Sequence, residues 1–291
     1  GKQIIDIVPS RFITESRTTE DPIGIFTSTL EAELDVIIAD KEVVKTIGLA
    51  MQRAGLMMDG IVVNGFAMKD IVLSEEEKEN GVLLLDIGAG NVDISVFKNN
   101  GIVYTDSIPV GGDTITNDIS IGLEISHQEA DKLKRQYGLS KVKYIDNDYS
   151  ITLATYTGEE KNKTVKCSEL VEIIEARVEE IFMMIKSGLE ENKVSNVPMS
   201  CVIAGQGMNS INKTEKTAEE ILKYPVRFGN LKTANLIKPD AAGAYGIVKY
   251  ISNIKHSKNI GSKIQMIEEQ TFFENVVQSV KSLFGSKTKN R

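Results

Sequence analysis

Apolar positions along the chain recur at two spacings, and the switches between them outline the elements. Ile4 to Val8 and the alternating stretch Leu30 to Ile38 predict strands, with Pro9, Asp21-Pro22 and Gly24 punctuating them. Val43, Val44, Ile47, Leu49, Ala50 and Ala54 recur near helical spacing, which predicts a helix over Lys41 to Leu56 stopped at Gly55. Two strands and a helix make a small α+β unit. Ile61 to Val63 predicts another strand, followed by a helical segment to Leu73, and LSEEEKEN reads as a solvated acidic turn. Val82 to Leu85 is a continuous apolar run ended by Asp86, the pattern of a strand buried on both faces. Ile94 to Phe97 and Ile102 to Tyr104 repeat the strand signal on either side of Asn99-Asn100-Gly101, a tight hairpin turn.

Helical spacing dominates downstream. Thr116 to Leu123 predicts an apolar-faced helix. Ser126 to Tyr137 predicts another, with Ser126 as N-cap and Glu129 completing a capping box. Lys141 to Lys166 is polar, with strand patches such as Ile151 to Tyr156. In Ser168 to Glu191, Leu170, Ile173, Ile174, Val178, Ile181, Ile185 and Leu189 recur at three and four residues, an apolar stripe most simply assigned to core. Val197 to Ile203 is a short apolar strand. Leu236 to Tyr250 predicts a helix whose Ala241, Ala242, Gly243 and Ala244 permit close approach, and Lys255 to Gln270 reads as a polar linker.

Candidate chemistry sits in the turn after the first buried strand. Gly88 and Gly90 let the backbone bend tightly and expose N–H groups that can face an anion. A triphosphate needs such donors and a nearby carboxylate for Mg²⁺, which keeps much of its water shell. Asp86 and Asp93 are the candidates, with Asp86 better placed. An ordinary hairpin whose Asp residues cap turns fits the same residues.

Composition narrows the class. At 291 residues and 41% hydrophobic content the chain has material for a sizeable core in one or two domains. A formal charge of -7 disfavours a general nucleic-acid binder. Cys167 and Cys201 give no disulfide framework or metal spacing and suit a reducing cytosol, while His127 and His256 read as surface residues. No apolar run reaches the roughly 20 residues of a membrane span, and no signal-peptide pattern is present. The abrupt strand-like start after Gly1 reads as a start in mid-domain. On a helical wheel Phe272, Phe273, Val276, Val277, Val280, Leu283 and Phe284 fall within an arc of roughly 140°, with Lys281, Lys287, Lys289 and Arg291 at the end. Such a helix either docks on the protein's own core or lies at a lipid headgroup boundary.

One window carries a resemblance. DIGAGNVDISVF, then IPVGGDTITNDISIGL, then Ala130-Asp131-Lys132-Leu133-Lys134 before Tyr137-Gly138 resembles the second phosphate loop and following helices of the FtsA family, bacterial cell-division proteins that are actin-like ATPases. IVPSRFITES, DPIGI and LSEEEKENGV resemble the segments upstream, so the resemblance runs from about residue 5 to about residue 255. It implies an α/β, actin-like (ribonuclease H-type) nucleotide-binding fold with a small α+β inserted subdomain. Residues 1–59 would be the remainder of that subdomain and 60–80 a connecting segment of the first lobe. Residues 81–255 would form the second actin-like lobe with phosphate loop and adenosine turn, 256–270 a linker and 271–291 an amphipathic membrane-targeting helix.

The resemblance implies ATP and Mg as ligands. Asp86 would hold Mg through water, with Gly88, Ala89, Gly90, Asn91, Gly111 and Gly112 around the phosphates. Asp131 and Lys134 would meet ribose and base, and Gly205, Gln206, Gly207 and Met208 would form the turn against which adenosine packs. Three departures stand out: Asn91-Val92 for Thr-Thr, Asp131 for Glu, and Gln206 for a glycine, which sets a side chain where close backbone approach is expected. Without the resemblance, Asp131 and Lys134 are equally an exposed i,i+3 ion pair. No first phosphate loop precedes residue 60, so a fragment is expected rather than the alternative, a degenerate relative, and no catalytic residue is assigned. The implied role is an adaptor that anchors the tubulin-like FtsZ ring to the inner face of the cell membrane at the division site. Its partners would be FtsZ, further copies of itself in a filament, and other division proteins, with no nucleic acid. Two rivals are another actin-superfamily ATPase or kinase, and a nucleotide-free scaffold module.

Overall fold

The computed structural model describes residues 1–19, 21–58, 60–153, 163–229 and 241–263. The chain divides into two compact units, one from residues 1–67 together with 244 onward, the other from Met68 to Gly243.

In the first unit β1 (Lys2–Thr14), β2 (Thr18–Thr19) and β3 (Leu30–Asp40) form an antiparallel sheet of order β2-β1-β3. Pro9 is tolerated inside β1 because the ladder shifts register between Pro9 and Arg11, where a missing N–H breaks no regular pairing. Asp40 caps α1 (Lys41–Arg53) by accepting from the Glu42 amide at 2.9 Å. Despite its periodic apolar positions, α1 buries none of its residues. Ile61 to Val63 does not form the expected strand. The Val63 carbonyl accepts from the amides of Phe66 at 3.0 Å and Ala67 at 3.2 Å, so the segment is the entry turn of α2 (Asn64–Val72).

In the second unit, which begins within α2, α3 (Glu75–Asn80) replaces the expected acidic turn. Ser74 accepts from the Glu77 amide at 3.2 Å, and the Glu77 carboxylate accepts from the Ser74 amide at 2.8 Å. Glu75, Glu76 and Glu77 also favour the positive end of the helix. Next come β4 (Val82–Ile87), β5 (Val92–Lys98) and β6 (Gly101–Ile108), with Asn99 and Asn100 at φ 51° and 61° in the turn that an Asn-Asn-Gly hairpin demands. The helices α4 (Gly112–Leu123) and α5 (His127–Tyr137) follow, then a hairpin of β7 (Ser150–Leu153) and β8 (Lys163–Lys166), α6 (Cys167–Glu191), β9 (Ser200–Ala204), α7 (Thr214–Leu222) and β10 (Val226–Phe228). Ser126 caps α5 at 3.1 Å as expected, but Glu129 reaches Lys132 instead of closing the box.

The five-stranded sheet runs β10-β9-β4-β5-β6, with β9 parallel to both of its neighbours and the β4-β5-β6 meander antiparallel. Leu83, Leu85 and Ile87 alternate to one face of β4 and share a buried core with Ile115 and Ile119 of α4 and Ile174, Val178, Ile181 and Ile185 of α6. Val82 and Leu84, on the opposite face, are buried as well, as a central strand requires. Arg227 pins α3 and the end of α2 to the sheet edge, donating to Glu77 at 2.6 and 2.7 Å and to the Val72 carbonyl at 2.9 Å.

Helix α8 (Ala242–Lys263) belongs mostly to the first unit, where a Cβ on Gly246 would stand 2.1 Å from the Ala67 carbonyl oxygen. Gly246 therefore makes the close approach expected of Ala241 to Ala244. Tyr250 donates to Asp6 at 3.1 Å and lies 6.0 Å from the Phe66 ring. The helix runs on through residues 255–263, expected to be linker. Residues 154–156 of the strand patch, 236–240 of the predicted helix, the linker beyond 263 and the amphipathic segment of Phe272, Phe273, Val276, Val277, Val280, Lys281, Leu283 and Phe284 lie outside the described residues. Among the described residues no helix is long and apolar enough to cross a membrane.

Candidate functional site

Three backbone segments of the second unit meet where β4 ends: the Gly88–Asn91 loop, the first turn of α4 and the turn after β9. The Gly88 amide donates to the Asn91 carbonyl at 2.9 Å and closes the loop. Three successive loop carbonyls are then claimed by the other segments. Ile87 accepts from Gly207 at 2.8 Å, Gly88 from Gly112 at 3.0 Å and Ala89 from Asp113 at 2.8 Å. In a trans peptide the C=O and N–H point in opposite directions. Fixing these carbonyls toward α4 and the β9 turn therefore aims the amides of Ala89 and Gly90 the other way. Both residues are exposed, and among the described residues neither amide has an acceptor. A Cβ on Gly90 would meet nothing within 4 Å, so the space beside the Gly90 backbone is open.

The glycines are there because the segments touch without side chains between them. A Cβ on Gly111 would lie 2.5 Å from the Ala89 oxygen, on Gly112 2.4 Å from the Gly207 oxygen, and on Gly207 2.2 Å from the Gly88 oxygen. Gly205, at φ +83°, would place one 2.3 Å from the Ile87 oxygen and 2.6 Å from Asp86 Oδ1. Gln206 does not obstruct this junction. Its side chain is exposed, and the close approach falls to Gly205 and Gly207 on either side. Met208 points the other way and is 1% exposed, so its side chain belongs to the core.

Register adds the acids. One row across the sheet reads Ser107, Asp93, Asp86, Ala204, which sets the two carboxylates opposite each other on one face. Like charges so placed repel, and donors offset this: Asp93 accepts from Asn91 Nδ2 at 2.7 Å and from Ser107 Oγ at 2.8 Å. The Asn91 side-chain amide thus tethers Asp93. Asp86 is half-buried, beside the Gly205 backbone. Among the described residues no group of three or more His, Cys, Asp or Glu side chains is placed to hold a metal ion.

Lys134 and Asp131 are not an exposed pair. Lys134 is 5% exposed, and its ammonium donates to the Gly112 carbonyl at 2.8 Å and to Thr116 Oγ1 at 2.6 Å, with Asp131 at 3.4 Å. Burial pulls its pKa below the usual lysine value, against the opposing pull of Asp131. Partial burial pushes the Asp131 carboxyl up, but the Arg135 hydrogen bond at 2.7 Å and the Lys134 charge outweigh it and hold the group below the ordinary aspartate value. Thr116, fully buried and bonded to Lys134, is absent from the sequence-based site. Its only local trace is that it falls one helical turn after Gly112. The inward turn of Lys134 did have a signal, since it follows Leu133 and lies four residues after Ala130, both buried.

The junction has relatives. A family model described as Cell division protein FtsA matches residues 83–246, more than half of the chain. The Cell division protein FtsA of Bacillus subtilis (strain 168) is 32% identical over 248 residues, covering 85% of this chain and 56% of that protein. That of Pseudomonas aeruginosa is 31% identical over 218 residues, covering 75% and 52%. The chain thus spans about half the length of the curated relatives it matches. Among solved structures, MreB5 of Spiroplasma citri bound to AMPPNP aligns with a TM-score of 0.62 at 19% identity, covering 77% of this chain and 68% of that one. The MamK double helical filament aligns at 0.54 and 17% identity, covering 72% and 66%. These likenesses identify the fold as actin-like, a mixed α/β architecture around a central sheet. The family match, spread across β4, the glycine junction and α6, makes this chain a member of the FtsA family of cell division proteins.

Proposed function

We propose that the Met68–Gly243 unit binds Mg-ATP at the glycine junction and that the protein is a nucleotide-dependent adaptor, anchoring FtsZ polymers to the inner face of the membrane at the division site. The observation that carries the nucleotide reading is the outward orientation of the Ala89 and Gly90 amides, fixed by the Gly88 and Ala89 carbonyls bonded behind them. Gly88, Gly111, Gly112 and Gly207 hold that geometry. Asp86 would take Mg through its water shell, and the exposed backbone at Gly205 and Gln206 would carry adenosine, with Asp131 near the ribose. A bound triphosphate supplies anionic oxygens for the two amides and bridges whatever else closes around it. Solved structures of an actin-like relative, MreB5, hold ADP and AMPPNP, which supports a nucleotide in this fold.

The adaptor part of the reading draws on family membership and on the sequence of the C-terminal segment. ATP would act as a conformational ligand, binding one arrangement of the protein better than another. Self-association agrees with MamK, a filament of the same fold. Phe272, Phe273, Val276, Val277, Val280, Leu283 and Phe284 would enter the headgroup boundary while Lys281 and the terminal cations meet anionic lipid.

The test uses the full product of the gene. Asp86→Asn should weaken Mg-ATP about tenfold, the worth of one charge-assisted hydrogen bond, and leave Mg-free ATP nearly unchanged. Deleting residues 271–291 should abolish flotation with vesicles containing phosphatidylglycerol. Unchanged Mg-ATP affinity would refute the site, and unchanged flotation the anchor.

A further inference from the structure

We propose that Lys134 is a positioning residue that orients the phosphate-binding loop through the first turn of α4, and that it does not itself contact ribose or base; the inference rests on the nucleotide reading above. An ammonium has three protons to give, and three acceptors inside the protein surround this one: the Gly112 carbonyl at 2.8 Å, Thr116 Oγ1 at 2.6 Å and Asp131 at 3.4 Å. Two of its protons are engaged by Gly112 and Thr116, the Asp131 carboxylate faces it as an ion pair, and the residue is 5% exposed, so the ammonium is turned inward and away from a ligand at the surface.

What the ammonium holds is the junction. Gly112 is tied at its carbonyl by Lys134 and by the Thr116 hydroxyl at 3.1 Å, while its amide and that of Asp113 donate to Gly88 and Ala89. The chain of contacts is continuous. Lys134 fixes the Gly112 peptide, the α4 amides fix two loop carbonyls, and those carbonyls aim the Ala89 and Gly90 amides outward. A buried cation near the positive end of a helix is costly, and Asp131 with Asp113 nearby offset it. A surface ribose contact would require none of this burial.

The two roles separate by ligand. In the full gene product, Lys134→Met keeps the length and removes the donors. Positioning predicts that Mg-ATP and Mg-tripolyphosphate, which lacks ribose and base, both weaken by the same factor of about ten. It also predicts faster hydrogen exchange at the Gly112 and Asp113 amides in nucleotide-free protein, with the Leu85 and Ile203 amides as unchanged controls. Weaker ATP with unchanged tripolyphosphate, or unchanged exchange at Gly112 and Asp113, overturns the inference. If wild-type protein binds neither ligand, the nucleotide reading fails and the exchange measurement alone decides the positioning role. Should Lys134→Met not fold, Thr116→Val removes one acceptor without changing the shape of the side chain, and the same exchange pattern, smaller, is expected. Its absence counts against the proposal.

Discussion

The two units respond to the same sequence signals in opposite ways. In the second, α6 buries Leu170, Ile174, Val178, Ile181, Ile185 and Leu189, and neighbouring backbones touch at glycines. In the first, α1 has a comparable apolar periodicity yet buries nothing, leaving Val43 57%, Ile47 43% and Leu49 44% exposed. Periodicity sets the shape of a helix, and topology decides whether anything covers it. The core of the second unit should therefore reject both added and removed atoms where α1 of the first accepts either.

The largest effect is expected at the junction. Gly205→Ala adds a methyl into the Ile87 carbonyl and strains a left-handed backbone. It should cost about 2–5 kcal/mol in denaturant unfolding, from overpacking of about 1–3 and left-handed strain of about 1–2. Ile181→Ala should follow at about 3 kcal/mol, a transfer and cavity loss in a fully buried site, while Ile47→Ala on α1 should fall below about 0.5 kcal/mol. Equal losses at Ile181 and Ile47 would break the comparison. The opposite sign is expected for a methyl added to the first unit. At Gly48 in α1 a Cβ meets only the Met58 methyl at 3.5 Å, so Gly48→Ala should stabilise by about 0.5–1 kcal/mol.

The smallest effect is electrostatic. Glu220 accepts from Lys143 and from Tyr144 at 2.9 Å and lies 3.2 Å from Lys141; these hydrogen bonds, that from Lys143 foremost, pull its pKa from 4.5 to about 2. A depressed carboxylate contributes stability above its unfolded pKa and loses it as pH falls from 4.5 toward about 2. Glu220→Gln should therefore narrow its stability gap to wild type across that window. Solvent screening keeps the change below those above.

Local signals were legible and long-range ones were not. The Val82 to Leu85 run, the Asn99-Asn100 turn and the Ser126 cap are each decided within a few residues, and each formed. That Gly88 and Gly90 turn was also readable. What lies behind the turn was not, because Gly112 and Gly207 arrive from other elements and only the sheet order brings them there. Ile61 to Val63 misled because three apolar residues cannot distinguish a strand from a helix entry. Glu75 to Asn80 looked like a turn because its helix rests on caps and ion pairs, Lys78 with Asp70 at 3.1 Å and Glu75 at 2.8 Å, rather than on an apolar face. Gln206 seemed an obstacle because a sequence does not say which way a turn residue points.

In the proposed complex the Ala89 and Gly90 amides face the phosphates of a magnesium-bound nucleotide. The most direct test is backbone amide NMR of the full gene product, titrated with Mg-ATP. The Ala89 and Gly90 resonances should shift most, and both amides, free to exchange without ligand, should become protected. Saturable Mg-ATP binding that leaves both resonances in place, and both amides unprotected, would contradict it.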